Sequence, residues 1–147
     1  MTSNSVKIGI KEKVLVFGGN GFIGKAICEY LQNHSITYLA PKRKECDLVK
    51  LDQIQAYLKR LFRQQLHVVF CAAIPRRVND SLHSMNHNIK ILSNFITGSQ
   101  SISLASFIFI SSIDVYKKPY KNPITENASL TTTGFYANSK VSSENLL

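Results

Sequence analysis

The sequence predicts an α/β protein, with a doubly wound parallel sheet covered by helices on both faces in a three-layer α/β/α arrangement. Three observations predict it. Short, continuously apolar runs are typical of strands that are buried on both faces. Between these runs, apolar residues recur every three or four positions, as they do on one face of a helix. A glycine-rich turn directly follows the first apolar run, and strands that alternate with helices form a parallel sheet.

Each expected element is placed by its apolar pattern. The strands are Val14–Phe17, Thr37–Ala40, Val68–Cys71 and Phe107–Ile110. The helices are one that contains Ile23 to Leu31, one from about Leu51 to Arg63, a long one from Leu82 that Gly98 ends, and one from near Phe135 that is still running at Leu147. Residues 1–12 are interpreted as a polar N-terminal extension and residues 13–147 as one domain.

The chain is basic, with 18 lysines and arginines against 9 acidic residues and a net charge of +9. Such a charge favours anionic partners. The basic residues are scattered, apart from Lys42–Lys44 and a looser group at Lys117, Lys118 and Lys121 that we interpret as solvated surface. Because no nucleic-acid-binding motif accompanies them, we expect a polyphosphate cofactor or a phosphorylated substrate and no nucleic acid.

The remaining composition excludes several other classes. No apolar run approaches the ~20 residues that cross a bilayer, and Met1 to Lys13 lack the apolar core of a signal peptide. The three cysteines are widely spaced and form no metal-ligand pattern, so we expect reduced thiols and no metal. We therefore predict a cytoplasmic protein without a membrane partner.

Gly18 to Gly24 form a turn between the first strand and the first helix. Gly19, Gly21 and Gly24 fit the pattern G-x-G-x-x-G, whereas Gly18, Gly21 and Gly24 fit G-x-x-G-x-x-G. Glycines let the backbone approach a pyrophosphate and let the helix pack closely on the strand. The helix N-terminus then offers N–H groups and a positive dipole end to the phosphates. In this context the turn predicts a Rossmann-like dinucleotide site, and a purely structural turn is the alternative.

Basic residues follow the second expected strand. Folds that bind NAD usually place an acidic residue about 20 positions after the turn, whereas an arginine suits the 2′-phosphate of NADP. Lys42 and Arg43 occupy this place, so NADP is slightly favoured over NAD; an exposed basic loop is the alternative. Asp47, beside Leu48, is placed to contact the adenine or, alternatively, to cap the helix near Leu51.

Tyr136 and Lys140 are four residues apart on the last expected helix, so they share one face. A free tyrosine has a pKa near ~10, and a neighbouring ammonium lowers it toward the range of an acid-base catalyst. Ser112, with Ser111, follows the strand Phe107–Ile110, where a hydroxyl is placed to hydrogen-bond a substrate carbonyl. The alternatives are a surface helix pair and a serine that caps a turn.

With these motifs in this order, the chain resembles the N-terminal part of an extended short-chain dehydrogenase/reductase of the NAD-dependent epimerase/dehydratase kind. The matching segments are Phe17–Gly24, Val69–Ala73, Asn88–Phe95, Phe109–Tyr116, and Tyr136–Lys140 with Glu144. The resemblance covers about Lys13 to Leu147. Five motifs in the correct order are more specific than any one of them.

The resemblance implies an oxidoreductase or epimerase that uses NADP or NAD on a nucleotide-linked sugar or other small molecule, with a homodimer among its expected partners. By position, Ser112 would polarise the carbonyl, Tyr136 would be the acid-base, and Lys140 would be its electrostatic partner and contact the cofactor. The cofactor-binding residues would be Gly18, Asn20, Gly21, Phe22, Ile23 and Gly24 at the pyrophosphate, Lys42, Arg43, Asp47 and Leu48 at the adenine end, and Cys71, Ala72 and Ala73 along the ribose and nicotinamide.

Three departures from the family pattern qualify these expectations. Lys117 replaces a usual glycine, and Ile113–Asp114 replaces the Asp-Glu pair of sugar-nucleotide 4,6-dehydratases, which argues against that activity. Family members continue for roughly the same length again, so we expect the fold to be truncated after the active-site helix, with the C-terminal substrate part missing. The alternative function is a non-catalytic NAD(P)-binding module or an inactive truncated fragment.

Overall fold

A computed structural model describes residues 11–116, 123–130 and 132–147. Most of the predicted N-terminal extension and the group Lys117, Lys118 and Lys121 lie outside these ranges. The strands are β1 Lys11–Phe17, β2 Tyr38–Leu39, β3 Gln64–Phe70 and β4 Leu104–Phe109. The helices are α1 Phe22–Asn33, α2 Leu51–Lys59, α3 Leu82–Ser99 and α4 Phe135–Glu144, with a 3₁₀ turn at Ile113–Val115.

In the described part of the chain, the strands form one parallel sheet in the order β2-β1-β3-β4. The chain runs outward from β1 to β2 and then crosses back over β1 to β3. The winding direction therefore reverses between β1 and β3, which confirms the doubly wound α/β prediction. In such sheets the carboxyl ends of the strands at this reversal form a crevice where ligands bind.

Helices cover both faces of the sheet. On one face α1 buries Cys28 and Leu31 against Val16 of β1. On the other face α2 and α3 enclose the main core, in which the Phe95 ring centroid lies 5.3 Å from that of Phe17 and 5.6 Å from that of Phe70. Close aromatic packing of this kind adds to the apolar area that the core buries. α4 packs against α3, so the predicted three layers are confirmed.

Helix α2 ends four residues before its predicted end at Arg63. The N–H groups of Arg60 and Leu61 donate to the carbonyls three residues earlier, at 3.2 and 2.8 Å, and this tight turn leads the chain into β3. The apolar residue Phe62, which follows this turn, is 63% exposed. Strand β3 consequently begins at Gln64, four residues before its predicted start.

Gly98 does not end α3, which continues to Ser99. A Cβ on Gly98 would lie 2.8 Å from Cγ2 of Ile54 in α2. The glycine therefore permits the close approach of two helices, and the prediction that it stops the helix is wrong.

The ends of the domain also differ from the predicted bounds. β1 begins at Lys11, within the predicted polar extension, because residues 11–13 pair with the first residues of β3. α4 ends at Glu144, where we expected it to continue through Leu147. None of the helices in the described ranges is long and apolar enough to cross a membrane.

Candidate functional site

The crevice between β1 and β3 is narrow because two backbone segments meet there. Gly18 has φ +85°, and a Cβ on it would lie 2.7 Å from the backbone nitrogen of Ala72. A side chain at position 18 would therefore require both a strained backbone and a displaced β3 loop. The glycine turn is thus a requirement of the fold at this crevice.

The N-terminus of α1 opens into the crevice. Its N-cap is Gly21, which provides no capping side chain, and the first turn contains no acidic residue. A Cβ on Gly24 would overlap the carbonyl of Gly18, so this glycine holds the helix against the turn. The N–H groups at a helix start and the positive end of its dipole favour an anion, and these residues fit the diphosphate of a dinucleotide.

One part of the crevice, the β2 compartment, is a cavity of about 310 Å³ below the loop that follows β2. It brings together most residues that the sequence predicts for cofactor binding, and it adds His87 and Ile91 of α3, which the sequence reasoning missed. Its predicted lining residues are Gly18, Asn20, Gly21, Lys42, Arg43, Asp47, Leu48, Cys71, Ala72 and Ala73.

Asp47 is held within this compartment by Arg43. Nε of Arg43 donates to Oδ2 of Asp47 at 3.2 Å, and the Val49 N–H donates to Oδ1 at 3.1 Å. Burial alone would raise the pKa of Asp47, but the hydrogen bonds from Val49 and Arg43 outweigh it and lower the pKa. Asp47 does not cap α2, since Lys50 is the N-cap residue and has no capping side-chain bond.

Asn94 of α3 fixes the loop that carries Leu48. Its Nδ2 donates to the carbonyls of Leu48 and Val49 at 3.0 and 2.8 Å. His87, two turns before Asn94 on the same face of α3, has a pKa lowered by burial and then by the nearby Arg43. The wall opposite Arg43 is therefore a neutral imidazole at neutral pH.

The other part, the α4 compartment, is a cavity of about 550 Å³ that α4 borders. It shares Gly18, Gly21, Cys71 and Ala73 with the β2 compartment, so the two compartments adjoin each other. Cys71, which borders both compartments, is only partly buried. The remaining lining residues are Phe22, Ile23, Gly24, Pro75, Arg77, Ile110, Ser111, Tyr136 and Lys140.

The phenol of Tyr136 lies between a hydroxyl and a carboxylate. Burial raises the pKa of Tyr136, the nearby Asp114 raises it further, and a hydrogen bond with Ser112 opposes both. The net direction is upward, opposite to the lowering that we expected from Lys140.

Lys140 is turned partly away from the phenol. Its Nζ donates to the Ile110 carbonyl at 2.7 Å and lies 4.5 Å from the Phe109 ring centroid, against 5.7 Å from the Tyr136 ring centroid. Burial lowers the pKa of Lys140 to about 8, opposed by Cys71 and Glu144. The side chain thus remains mostly protonated at neutral pH beside Tyr136.

The two serines after β4 have different partners. Ser112 bonds with Tyr136 and accepts the Asp114 N–H at 3.2 Å, whereas Ser111 donates to the carboxylate of Glu144. The structure therefore places Ser112, Tyr136 and Lys140 together, as expected, and their roles in a reaction stay a prediction. Of the two, Ser111 borders the α4 compartment, whereas the predicted catalytic residue Ser112 is not among its lining residues.

Asn88, buried in α3, is a further residue that the sequence reasoning missed. Its Oδ1 accepts the Ile74 N–H at 2.7 Å, and its Nδ2 donates to the Ile74 carbonyl at 3.0 Å and to Oγ of Ser139 at 3.4 Å. One amide thus joins the loop after β3, α3 and α4. A buried asparagine inside an apolar helical pattern is the only signal of this role in the sequence.

The fold is that of a Rossmann-like α/β domain of the short-chain dehydrogenase/reductase type. The chain belongs to the NAD dependent epimerase/dehydratase family, whose model matches residues 14–147. This confirms the resemblance on which the sequence analysis relied.

Curated relatives and solved structures agree with this family. The chain is 24% identical to a GDP-L-colitose synthase from Yersinia pseudotuberculosis over 91% of its own length and 46% of the relative. It is 26% identical to a GDP-L-fucose synthase from Sinorhizobium fredii, over 88% of this chain and 44% of the relative. The chain thus spans less than half the length of these relatives.

Among solved structures, a GDP-L-fucose synthetase from Naegleria fowleri bound to NADP has a TM-score of 0.75 at 22% identity, over 99% of this chain and 48% of that one. The protein DdhaC has a TM-score of 0.79 at 23% identity, over 92% and 42%. These likenesses show the fold.

Proposed function

We propose that this chain is the cofactor-binding part of an NAD(P)-dependent oxidoreductase or epimerase that acts on a nucleotide-linked sugar. The observation that carries the proposal is that the two compartments adjoin: Gly18 and Gly21 border both the β2 compartment and the α4 compartment, where Tyr136 and Lys140 lie. The names of the relatives, which are GDP-sugar synthases, support the substrate class.

The chemistry assigned to the side chains follows from their contacts. A bound nicotinamide supplies or takes up the hydride. Ser112 holds the oxygen of the sugar carbonyl by its hydroxyl, and Tyr136 gives its phenol proton to that oxygen. Lys140 keeps a positive charge beside the phenolate that remains. Because the pKa of Tyr136 is raised, the phenol is protonated at neutral pH and suits the direction of reduction.

The cofactor proposed is NADP in preference to NAD. Arg43 and Lys42 border the β2 compartment just after β2, where an acidic residue would instead bind the ribose hydroxyls of NAD. Arg43 uses Nε for Asp47, and a guanidinium has five N–H donors, so further donors remain for a 2′-phosphate. The cytoplasmic location, the homodimer and the absence of nucleic-acid and membrane partners stay predictions.

The experiment replaces Tyr136 by phenylalanine in a full-length form and measures hydride transfer from NADPH to the sugar substrate in a single turnover. The expected loss is ~10²–10⁴-fold, as for other general acids, with unchanged NADPH affinity. Tyr57→Phe, in α2 outside the cleft, is the matched control. Hydride transfer at the wild-type rate in Tyr136→Phe would reject the assigned role.

A second candidate is a non-catalytic NAD(P)-binding module, which would use the β2 compartment, where most of the predicted cofactor-binding residues lie. Titration of this chain with NADPH and NADH, followed by nicotinamide fluorescence, distinguishes the two. The chain contains no tryptophan, so protein fluorescence does not obscure the signal. Binding without turnover, even with a range of nucleotide sugars, favours the module.

A further inference from the structure

Helix α4 has no capping side chain on its own segment. Its N-cap residue is Gly134, so the first N–H groups of the helix need acceptors from elsewhere. Oδ1 of Asp80, in the loop between β3 and α3, accepts the backbone N–H of Tyr136 at 2.8 Å. A carboxylate also suits the positive end of a helix dipole. Asp80 therefore serves as the cap of α4 from 56 residues away in sequence.

Gly134 makes room for this carboxylate. Its φ is +99°, and a Cβ there would lie 2.8 Å from Oδ2 of Asp80. Any other residue would meet both a strained backbone and the acceptor itself. The glycine before α4 and the aspartate before α3 thus form one structural unit.

Arg76 connects this unit to the turn behind Ser112. Its Nε lies 3.6 Å from Oδ2 of Asp80, and its Nη1 lies 3.6 Å from Oδ1 of Asp114. The N–H of Asp114 in turn donates to Oγ of Ser112. The loop after β3, the turn after β4 and the start of α4 are therefore joined by one arginine and two carboxylates.

We propose that Asp80, oriented by Arg76, is a positioning residue that holds the first turn of α4 so that the Tyr136 phenol stays in contact with Ser112. Its place in catalysis rests on the proposed function, but the positioning itself does not. Arg76 is half-exposed, and exposed ion pairs contribute little by themselves. The hydrogen bond that the Tyr136 backbone N–H donates to the Asp80 carboxylate is the stronger contact. Replacing Asp80 is therefore expected to displace the first turn of α4 more than replacing Arg76.

The test follows the ionisation of the Tyr136 phenol in this chain by tyrosinate absorbance, with Tyr136→Phe subtracted. Burial and Asp114 raise this pKa, and the hydrogen bond with Ser112 lowers it. When the first turn of α4 loosens, the phenol becomes exposed and moves away from both residues. In Asp80→Ala the titration midpoint is expected to fall from its raised position toward the ordinary value of 10.0. Asp80→Asn keeps an acceptor oxygen and is expected to retain the wild-type midpoint.

The matched control is Asp52→Ala, which removes an exposed acidic residue from the first turn of α2 and is expected to leave the midpoint unchanged. A wild-type midpoint in a folded Asp80→Ala protein overturns the proposal. So does a fall in Asp80→Asn as large as in Asp80→Ala, since the acceptor would then be irrelevant.

A second measurement keeps the proposal falsifiable if Asp80→Ala does not fold. In the wild type, the NMR shift of the Tyr136 amide proton is expected to follow a carboxyl titration, and in Asp80→Asn that dependence is expected to vanish. An amide shift that ignores the acid titration in the wild type overturns the proposal. Neither measurement uses turnover, so a failure of the assigned reaction would leave these results unaffected, and their failure would leave the reaction untouched.

Discussion

The two ends of the cleft are built in different ways. The turn from Gly18 to Gly24 is one continuous segment, and its shape comes from missing side chains and from backbone N–H groups. The α4 compartment is assembled from residues on four segments that are separate in the sequence, among them Arg77, Ser111, Tyr136 and Lys140. The glycine turn is therefore expected to be disrupted by substitutions that add side-chain atoms, whereas the α4 compartment is expected to be disrupted by substitutions that remove a side-chain contact.

The largest effect is expected when a side-chain atom is added to Gly18, where it would contact the backbone of the loop after β3. Gly18→Ala forces a Cβ to within 2.7 Å of the Ala72 nitrogen at a positive φ. We expect NADPH affinity to fall at least ~100-fold, or ~2.7 kcal/mol, and the free energy of unfolding to fall by ~1–3 kcal/mol. Titration by nicotinamide fluorescence and urea unfolding measure the two effects.

The matched control is Gly98→Ala, whose Cβ meets the side chain of Ile54 in the core. It is expected to lower stability and to leave the affinity of the folded protein unchanged. If Gly18→Ala binds NADPH as the wild type does, the turn is not the phosphate site.

The next effect concerns the buried ammonium at the α4 end. The pKa of Lys140 is about 8 in the folded chain, below its ordinary value of 10.5, so the unfolded chain binds the proton more tightly. The cost of burying the charge is complete below about pH 8 and disappears as the pH rises to 10.5. Relative to Lys140→Met, the wild type is expected to gain ~3 kcal/mol of unfolding free energy over that range.

Urea unfolding of both proteins at several pH values measures this difference, and the comparison cancels the titration of shared groups that do not interact with Lys140, as Cys71 does. A stability difference that does not change between pH 8 and 10.5 would show that Lys140 is solvated, contrary to its buried place above Phe109.

A smaller effect is expected at Asn88, whose side chain joins the loop after β3 to helices α3 and α4. Asn88→Ala leaves the N–H and carbonyl of Ile74 without their partner in a buried place, which costs ~1–3 kcal/mol of unfolding free energy. Asn86→Ala, on the exposed side of the same helix, is the control and should be nearly neutral. Equal stability of the two variants, measured by urea unfolding, would contradict this account of the loop.

The smallest effect concerns the choice of cofactor. Arg43→Ala is expected to reduce the ratio of NADPH to NADH affinity ~10-fold, or ~1.4 kcal/mol, because Arg43 is exposed and already pairs with Asp47. Lys44→Ala removes an equal charge from a residue that does not line the β2 compartment and serves as the control. The same loss of preference in both variants would indicate a general effect of charge.

Local patterns predicted the nucleotide end of the cleft well. The strand β1, the glycines and the start of α1 are consecutive, so periodicity and residue type were sufficient. The basic residues after β2 likewise border the compartment where the sequence placed them. Helix ends were less predictable, since the end of α2 depends on a turn into β3 and Gly98 serves a contact between helices.

The α4 end could be predicted only in part. The spacing of Tyr136 and Lys140 placed them on one helix face, but no local pattern indicated that Asp80 would cap that helix or that Glu144 would bond with Ser111. These contacts join residues that only the folded sheet brings together. The raised pKa of Tyr136 was missed for the same reason, because it depends on burial and on the position of Asp114.

The most direct test of the central claim, that both ends form one cofactor cleft, is a set of intermolecular NOEs from NADPH bound to this chain. We expect contacts from the adenine protons to Leu48 and Ile91, and from the nicotinamide ring protons to the side chain of Tyr136, in the same complex. Adenine contacts without any contact between the nicotinamide and Tyr136 would contradict the single cleft.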